Sequence, residues 1–148
     1  MRLVLFEPDI PQNAGSLIRL GACLGVPVDV VEPCGFLFSD AQMRRAGMDY
    51  LPQAEVVRHA SWDAYIAGVK GRIVLATTAA AEPYTAFSFH GDDNILLGRE
   101  SAGVPGVVHD RADARLRIPM KSGLRSINVA QAGAMLLGEA LRQTGLFP

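Results

Sequence analysis

The chain has 148 residues, with 14 Lys and Arg against 15 Asp and Glu and a net charge of −1. Its hydrophobic content of 49% is enough to bury a core, which excludes a globally disordered chain, and its length is typical of one domain. No apolar run approaches the ~20 residues of a membrane helix, and Cys23 and Cys34 fit neither a disulfide framework nor a zinc spacing, so we expect a reduced cytoplasmic protein without membrane partners.

Short apolar runs and longer helical patterns alternate along the chain. Continuous apolar runs predict buried strands at residues 3–6, 26–31, 73–77, 95–97 and 116–118. Helical spacing predicts helices at residues 13–24, 39–46, 61–69 and 128–143. The alternation predicts a single α/β domain over residues 1–148, with a mainly parallel sheet and helices on both faces.

Several familiar catalytic motifs are excluded. Gly98 and Gly103 have the spacing of a phosphate loop, but the Lys and Ser/Thr that should follow are absent. Arg99 occupies the first glycine position of a nucleophile elbow around Ser101. His59, His90 and His109 are each interpreted as isolated, without a second ligand at metal-binding spacing. We therefore expect no metal.

Basic residues are unevenly distributed, and 12 of the 14 are arginine. One group lies between residues 111 and 125, and a second comprises Arg44, Arg45 and Arg58. Both groups permit a nucleic-acid partner without demanding one, since solvated surface charge explains each residue equally well.

Ser126 and Asn128 lie at the start of the last predicted helix. Backbone N–H groups at that point could bind an anion or a ligand carboxylate. Ordinary N-capping is the alternative, because both residue types favour it. The residues alone leave this choice open.

Three stretches, in this order, resemble the SPOUT methyltransferases, which use S-adenosylmethionine. They read EPDIPQNAG at residues 7–15 with Arg19 following, LLGRESAGVP at 96–105, and RIPM at 117–120 followed by RSIN at 125–128. The likeness is greatest to the group that methylates a ribose 2′-hydroxyl in the tRNA anticodon. Arg99, Ala102 and Ala130 depart from that group's usual pattern.

The resemblance implies a C-terminal trefoil knot and a homodimer in which both subunits shape the site for the methyl donor and the RNA. It places S-adenosylmethionine against the positions that match the family's donor site. These are Ala76, Gly98, Glu100, Ile118, Met120 and Ser126.

The resemblance also places catalytic roles on Arg19, Ser126 and Asn128. A guanidinium stays protonated at neutral pH, so Arg19 is expected to stabilise the ionising ribose hydroxyl electrostatically rather than act as a simple base. Asn13 would order the first motif near Arg19, and Phe36 or Tyr50 could stack on an unpaired base. Basic and histidine side chains are expected to contact RNA, namely Arg44, Arg45, Arg58, His59, Lys121 and Arg125.

The expected activity is 2′-O-methylation of the wobble nucleotide, cytidine or modified uridine, in the anticodon stem-loop of certain tRNAs, with leucine tRNAs implied by the resemblance. DNA is not an expected partner. One alternative is 2′-O-methylation of another tRNA or rRNA position. A second alternative, from a different class, is a non-catalytic RNA-binding dimer.

Overall fold

A computed structural model of the chain describes residues 1–39 and 51–148. Within them lies a seven-stranded sheet, in which every pairing between neighbouring strands is parallel. The strands are β1 (Arg2–Phe6), β2 (Val28–Val31), β3 (Val56–His59), β4 (Ile73–Ala76), β5 (Glu82–Pro83), β6 (Asn94–Leu97) and β7 (Ala114–Arg117). Their order across the sheet is β3-β2-β1-β6-β4-β7-β5.

The helices cover both faces of this sheet. They are α1 (Pro11–Leu24), α2 (Trp62–Gly68), α3 (Gly106–Arg111) and α4 (Val129–Thr144), with a 3₁₀ turn at Leu51–Gln53. Among the described residues, no helix is both long enough and apolar enough to cross a membrane. The predicted helix over residues 39–46, together with Arg44, Arg45 and Tyr50, lies outside the described residues apart from Ser39.

Successive strand residues point to opposite faces, and both faces are buried. In β1, Leu3 and Leu5 join the core beneath α1 and α4, whereas Val4 and Phe6 join the core beneath α2 and α3. A strand covered on both sides needs apolar residues at every position, which is why these runs are continuous. The predicted parallel α/β sheet with helices on both faces is therefore confirmed.

The sequence patterns missed the short or marginal elements. Strand β3 lies at an edge of the sheet, where Val57 is 39% exposed, so it lacks the continuous apolar pattern of the central strands. Strand β5 has only two residues and helix α3 only six. Helix α1 begins at Pro11, two residues before the predicted start, since proline is compatible with a first helical position.

The strand order changes direction between β1 and β6. From β1 the chain moves outward to β2 and β3, whereas β6, β4, β7 and β5 lie on the other side. In open parallel sheets, loops at such a point diverge beyond the carboxyl ends of the strands and leave a crevice. The loop after β1 (residues 7–10) and the loop after β6 (residues 98–105) flank this crevice.

Candidate functional site

Two carboxylates join the 7–10 loop to the loop after β6. The Glu100 carboxylate accepts hydrogen bonds from the backbone N–H of Asp9 at 2.8 Å and from Nδ2 of Asn13 at 3.0 Å. In return, the Asp9 carboxylate accepts from the backbone N–H of Ser101 at 3.1 Å and from its hydroxyl. Each loop thus supplies a carboxylate that binds the backbone of the other.

Asn128 adds the loop between β7 and α4 (residues 118–128) to this assembly. Its Oδ1 accepts from the backbone N–H groups of Ala130 at 2.9 Å and Gln131 at 3.3 Å, which caps α4. Its Nδ2 donates to Oδ1 of Asn13 at 2.9 Å. The capping interpretation of Asn128 is therefore correct, and the same side chain also links the 118–128 loop to helix α1.

Gly98 is required by the protein's own turn. A Cβ at this position would lie 2.7 Å from the carbonyl carbon of Gly103. That close approach is fixed by two hydrogen bonds between the backbones of Arg99 and Gly103, each of 2.9 Å. Because the obstructing atoms are backbone, any side chain at residue 98 would force this turn open.

A cavity of about 410 Å³ lies between these loops at the carboxyl ends of β4, β6 and β7. Its wall is partly apolar, with Leu75, Ile118 and Met120, and its polar groups include Glu100 and Asn128. All six residues expected to bind S-adenosylmethionine line it: Ala76, Gly98, Glu100, Ile118, Met120 and Ser126.

The three expected catalytic residues are not placed together. Ser126 and Asn128 line the cavity, and both are exposed. Arg19 lies on the exposed side of α1 and, in the described part of the chain, is not among the residues that line the cavity. One chain therefore brings Ser126 and Asn128 to the cavity but leaves Arg19 outside it.

The expected RNA-contacting residues divide into two groups. Lys121 and Arg125 are exposed on the 118–128 loop, next to the cavity. Arg58 and His59 lie on the edge strand β3 and make internal contacts. Arg58 forms an ion pair with Glu32 at 2.6 Å, and Nε2 of His59 lies 2.7 Å from Oδ1 of the buried Asp29. Arg44 and Arg45 lie outside the described residues.

Three residues to which the resemblance assigns no role also line the cavity, namely Thr77 and Thr78, after β4, and Ile10, before α1. They follow the carboxyl ends of parallel strands, where such sheets place their ligand sites. Arg99, noted only as a departure from the family pattern, lines the cavity and pairs with Glu7 and Asp9.

The interpretation of His90 as isolated is wrong. Ligand atoms of His90, Asp92 and Asp93 lie within 4.8 Å of one another. Arg72 already binds both oxygens of Asp93 at 2.8 Å, and the backbone N–H of His90 donates to the same carboxylate. These contacts neutralise Asp93 without a metal.

Three comparisons bear on this cavity. A relative named tRNA (cytidine(34)-2′-O)-methyltransferase, from Beijerinckia indica, is 56% identical over 146 residues, which are 97% of this chain and 91% of the relative. A solved structure described as giving insights into 2-OH methylation of C/U34 on tRNA has a TM-score of 0.89 and 37% identity, covering 96% of this chain and 89% of its own. The SpoU methyltransferase AviRb from Streptomyces viridochromogenes, solved with AdoMet, has a TM-score of 0.85 and 25% identity, covering 97% of this chain and 60% of its own.

A sequence model of the SpoU rRNA Methylase family matches residues 1–138. This match includes all three stretches on which the resemblance rests and all seven strands of the described sheet. Together with the relative at 56% identity, it shows that the chain belongs to the SpoU methylase family of SPOUT methyltransferases.

Proposed function

We propose that this chain is an enzyme that transfers a methyl group from S-adenosylmethionine to the ribose 2′-hydroxyl of nucleotide 34, a cytidine or modified uridine, in the anticodon of certain tRNAs. The relative at 56% identity is named for this reaction on cytidine 34. The observation that carries the proposal is that all six residues expected to bind the donor line a single cavity.

The cavity fits S-adenosylmethionine in size and chemistry. Its volume of about 410 Å³ lies within the ~300–1,000 Å³ typical of small-molecule sites. Ile118 and Met120 offer an apolar surface for an adenine ring, and Ser126 offers a hydroxyl for a polar group. Glu100 holds the loops together through its hydrogen bonds from Asp9 and Asn13, and each of its carboxylate oxygens keeps a further lone pair that can accept from the donor. When bound, S-adenosylmethionine supplies the electrophilic methyl group.

The remaining residues act on the ribose. A 2′-hydroxyl must lose its proton as it attacks, so a fixed positive charge beside it lowers the barrier. Arg19 would provide that charge, while Ser126 and Asn128 orient the nucleotide at the cavity. Since Arg19 does not line the cavity within the described part of its own chain, we assign this role to Arg19 of a second subunit in a homodimer.

The RNA contacts follow from charge and position. Lys121 and Arg125 are exposed next to the cavity and would bind backbone phosphates of the anticodon stem-loop. Arg44 and Arg45 retain this role in the proposal. Arg58 and His59 are weaker candidates, because their side chains already contact Glu32 and Asp29.

Three further expectations belong to the same proposal: the chain folds as one domain, its C-terminal part contains a trefoil knot, and it acts in the cytoplasm. The single-domain expectation is supported by the packing of α1 and α4 on one face of the sheet and of α2 and α3 on the other. The knot would involve the 98–105 and 118–128 loops, which contribute residues to the cavity.

The direct test uses purified protein, S-adenosylmethionine and total tRNA from a strain that lacks the gene. Nucleoside mass spectrometry should show new 2′-O-methylated nucleosides, and fragment mapping should place them at nucleotide 34. The matched control is the Glu100→Ala variant, which loses both hydrogen bonds between the loops. Donor binding without any methylated tRNA would contradict the proposed substrate, and no donor binding would contradict the proposed enzyme.

A second candidate substrate is an rRNA or another tRNA position, because the matching family is described by rRNA methylation. The same assay with ribosomal RNA from the deletion strain distinguishes the two. A non-catalytic RNA-binding dimer would give no product with either RNA.

A further inference from the structure

Arg99 bridges two carboxylates of the 7–10 loop. Its Nη2 lies 2.8 Å from Oδ1 of Asp9, its Nε donates to the same oxygen at 3.2 Å, and its Nη1 lies 3.2 Å from Oε2 of Glu7. The three side chains are only partly exposed, at 37% for Arg99, 22% for Glu7 and 18% for Asp9. Because Arg99 is partly buried and pairs with two carboxylates, its side-chain geometry is more restricted than that of an ordinary surface ion pair.

Asp9 contacts the residues on both sides of Glu100. Its Oδ1 accepts from Arg99, and its Oδ2 accepts from the backbone and hydroxyl of Ser101. Glu100, between them, accepts from the backbone N–H of Asp9. The three consecutive residues 99–101 are thus all bonded to Asp9, and all three line the cavity.

The 7–10 loop is itself held firmly. Glu7 adopts a φ of +44°, which is unfavourable for a residue with a side chain, and its N–H donates to the carbonyl of Val31 at 2.9 Å. Gly35 packs so closely that a Cβ there would lie 2.9 Å from Cα of Asp9, and its N–H donates to the carbonyl of Pro8 at 2.9 Å. The loop can therefore serve as a fixed support for residues 99–101.

We propose that the ion pair between Asp9 and Arg99, assisted by Glu7, positions the donor-binding loop at residues 98–103 before S-adenosylmethionine binds. This inference rests on the proposed function of the cavity. A loop held in its binding geometry loses less conformational entropy when the ligand arrives, so the pair strengthens donor binding without touching the reacting atoms. Asp9 and Arg99 are positioning residues in this arrangement. Hydrogen bonds from Arg99 first, and then from Ser101, lower the pKa of Asp9, so its carboxylate stays charged further into the acid range than an ordinary aspartate.

The test is a double-mutant cycle with Asp9→Asn, Arg99→Met and the double variant. Calorimetry gives the dissociation constant of S-adenosylmethionine. Steady-state assays with tRNA give the KM for S-adenosylmethionine and the kcat of methyl transfer. Each single variant should weaken donor binding about tenfold, and the double variant should lose little more, because the two side chains act as one unit. At saturating donor, kcat should stay within about twofold, which a general structural defect would not produce.

Two controls separate positioning from surface charge. Arg99→Lys keeps one charged contact and should recover part of the donor affinity. Arg142→Met removes an arginine paired with Glu139 on α4, far along the chain from these loops, and should leave donor binding unchanged. Unchanged donor affinity in Asp9→Asn and Arg99→Met, or fully additive losses, would overturn the inference while the proposed function stands. If the unmodified chain does not bind S-adenosylmethionine, both fall together.

Discussion

Asn128 and Asn13 are 115 positions apart in the chain, yet their amide groups share a hydrogen bond of 2.9 Å. Asn128 simultaneously caps α4, and Asn13 simultaneously donates to Glu100. The bond therefore connects the start of the last helix to the loop after β6 through the first helix. The side chains of Asn128, Asn13 and Glu100 thus connect the 118–128 loop to the loop after β6, and Glu100 also binds the backbone N–H of Asp9 in the 7–10 loop.

Replacing Asn128 by alanine should remove both of its functions. Loss of an N-cap lowers the free energy of unfolding by about 1 kcal/mol. For a chain of this size, a loss of that magnitude lowers Tm by roughly 2–4 °C. Asn128→Asp keeps an acceptor for the cap but cannot donate to Asn13. We expect near-normal Tm and impaired methyl transfer for Asn128→Asp, and losses in both for Asn128→Ala. Normal activity in Asn128→Asp would show that the link to Asn13 is dispensable.

Glu100→Gln tests the contact between the first two loops with almost no change in size. The glutamine side chain keeps one acceptor oxygen. Its NH₂ group, however, would face a hydrogen-bond donor, either the backbone N–H of Asp9 or Nδ2 of Asn13. An N–H group left without an acceptor in a partly buried site costs about 1–3 kcal/mol. Binding of S-adenosylmethionine should therefore weaken about tenfold or more. Titration calorimetry with S-adenosylmethionine measures this, and unchanged affinity would contradict the role of Glu100.

Gly98→Ala should disturb the turn at residues 98–103. The new methyl group would lie 2.7 Å from the carbonyl carbon of Gly103, so the backbone must shift and the paired bonds of Arg99 and Gly103 must lengthen. We expect a loss of about 1–3 kcal/mol in the free energy of unfolding, together with weak donor binding. Gly106→Ala is the matched control, since nothing lies within 4 Å of its added Cβ. Equal behaviour of the two variants in urea unfolding would refute the steric explanation.

The central strands could be predicted because residues such as Leu3 and Val4 are buried on opposite faces, which leaves a continuous apolar run. Strand β3 could not, because an edge strand with exposed Val57 and Arg58 carries no such pattern. The six residues expected to bind the cofactor were identified through the family resemblance, and all of them line the cavity. The role of Arg99 was missed, since its partner Asp9 lies 90 positions away and only the sheet brings them together.

The ion pair between Asp9 and Arg99 should make the stability of the fold depend on pH in the acid range. Its pKa in the folded chain lies below the usual 3.8, so its stabilising contribution is complete above that value and is lost as pH falls through the lowered pKa. The difference in Tm between the unmodified chain and Asp9→Asn should therefore be constant from about pH 7 to pH 5 and shrink below about pH 4. Thermal unfolding followed by circular dichroism measures it. A difference that persists undiminished at the lowest pH would contradict the assignment.

Arg19→Ala should abolish methyl transfer while leaving donor affinity within about threefold, because the proposed role of Arg19 is to stabilise the ionising ribose hydroxyl and not to hold the donor. If Arg19 serves the cavity of a second subunit, a dimer of Arg19→Ala with Glu100→Ala contains one complete site. Such heterodimers, isolated through two different affinity tags, should recover about half of the unmodified activity, although each homodimer is inactive. An inactive heterodimer would place Arg19 and its cavity in the same subunit, and a monomeric protein in sedimentation would contradict the homodimer itself.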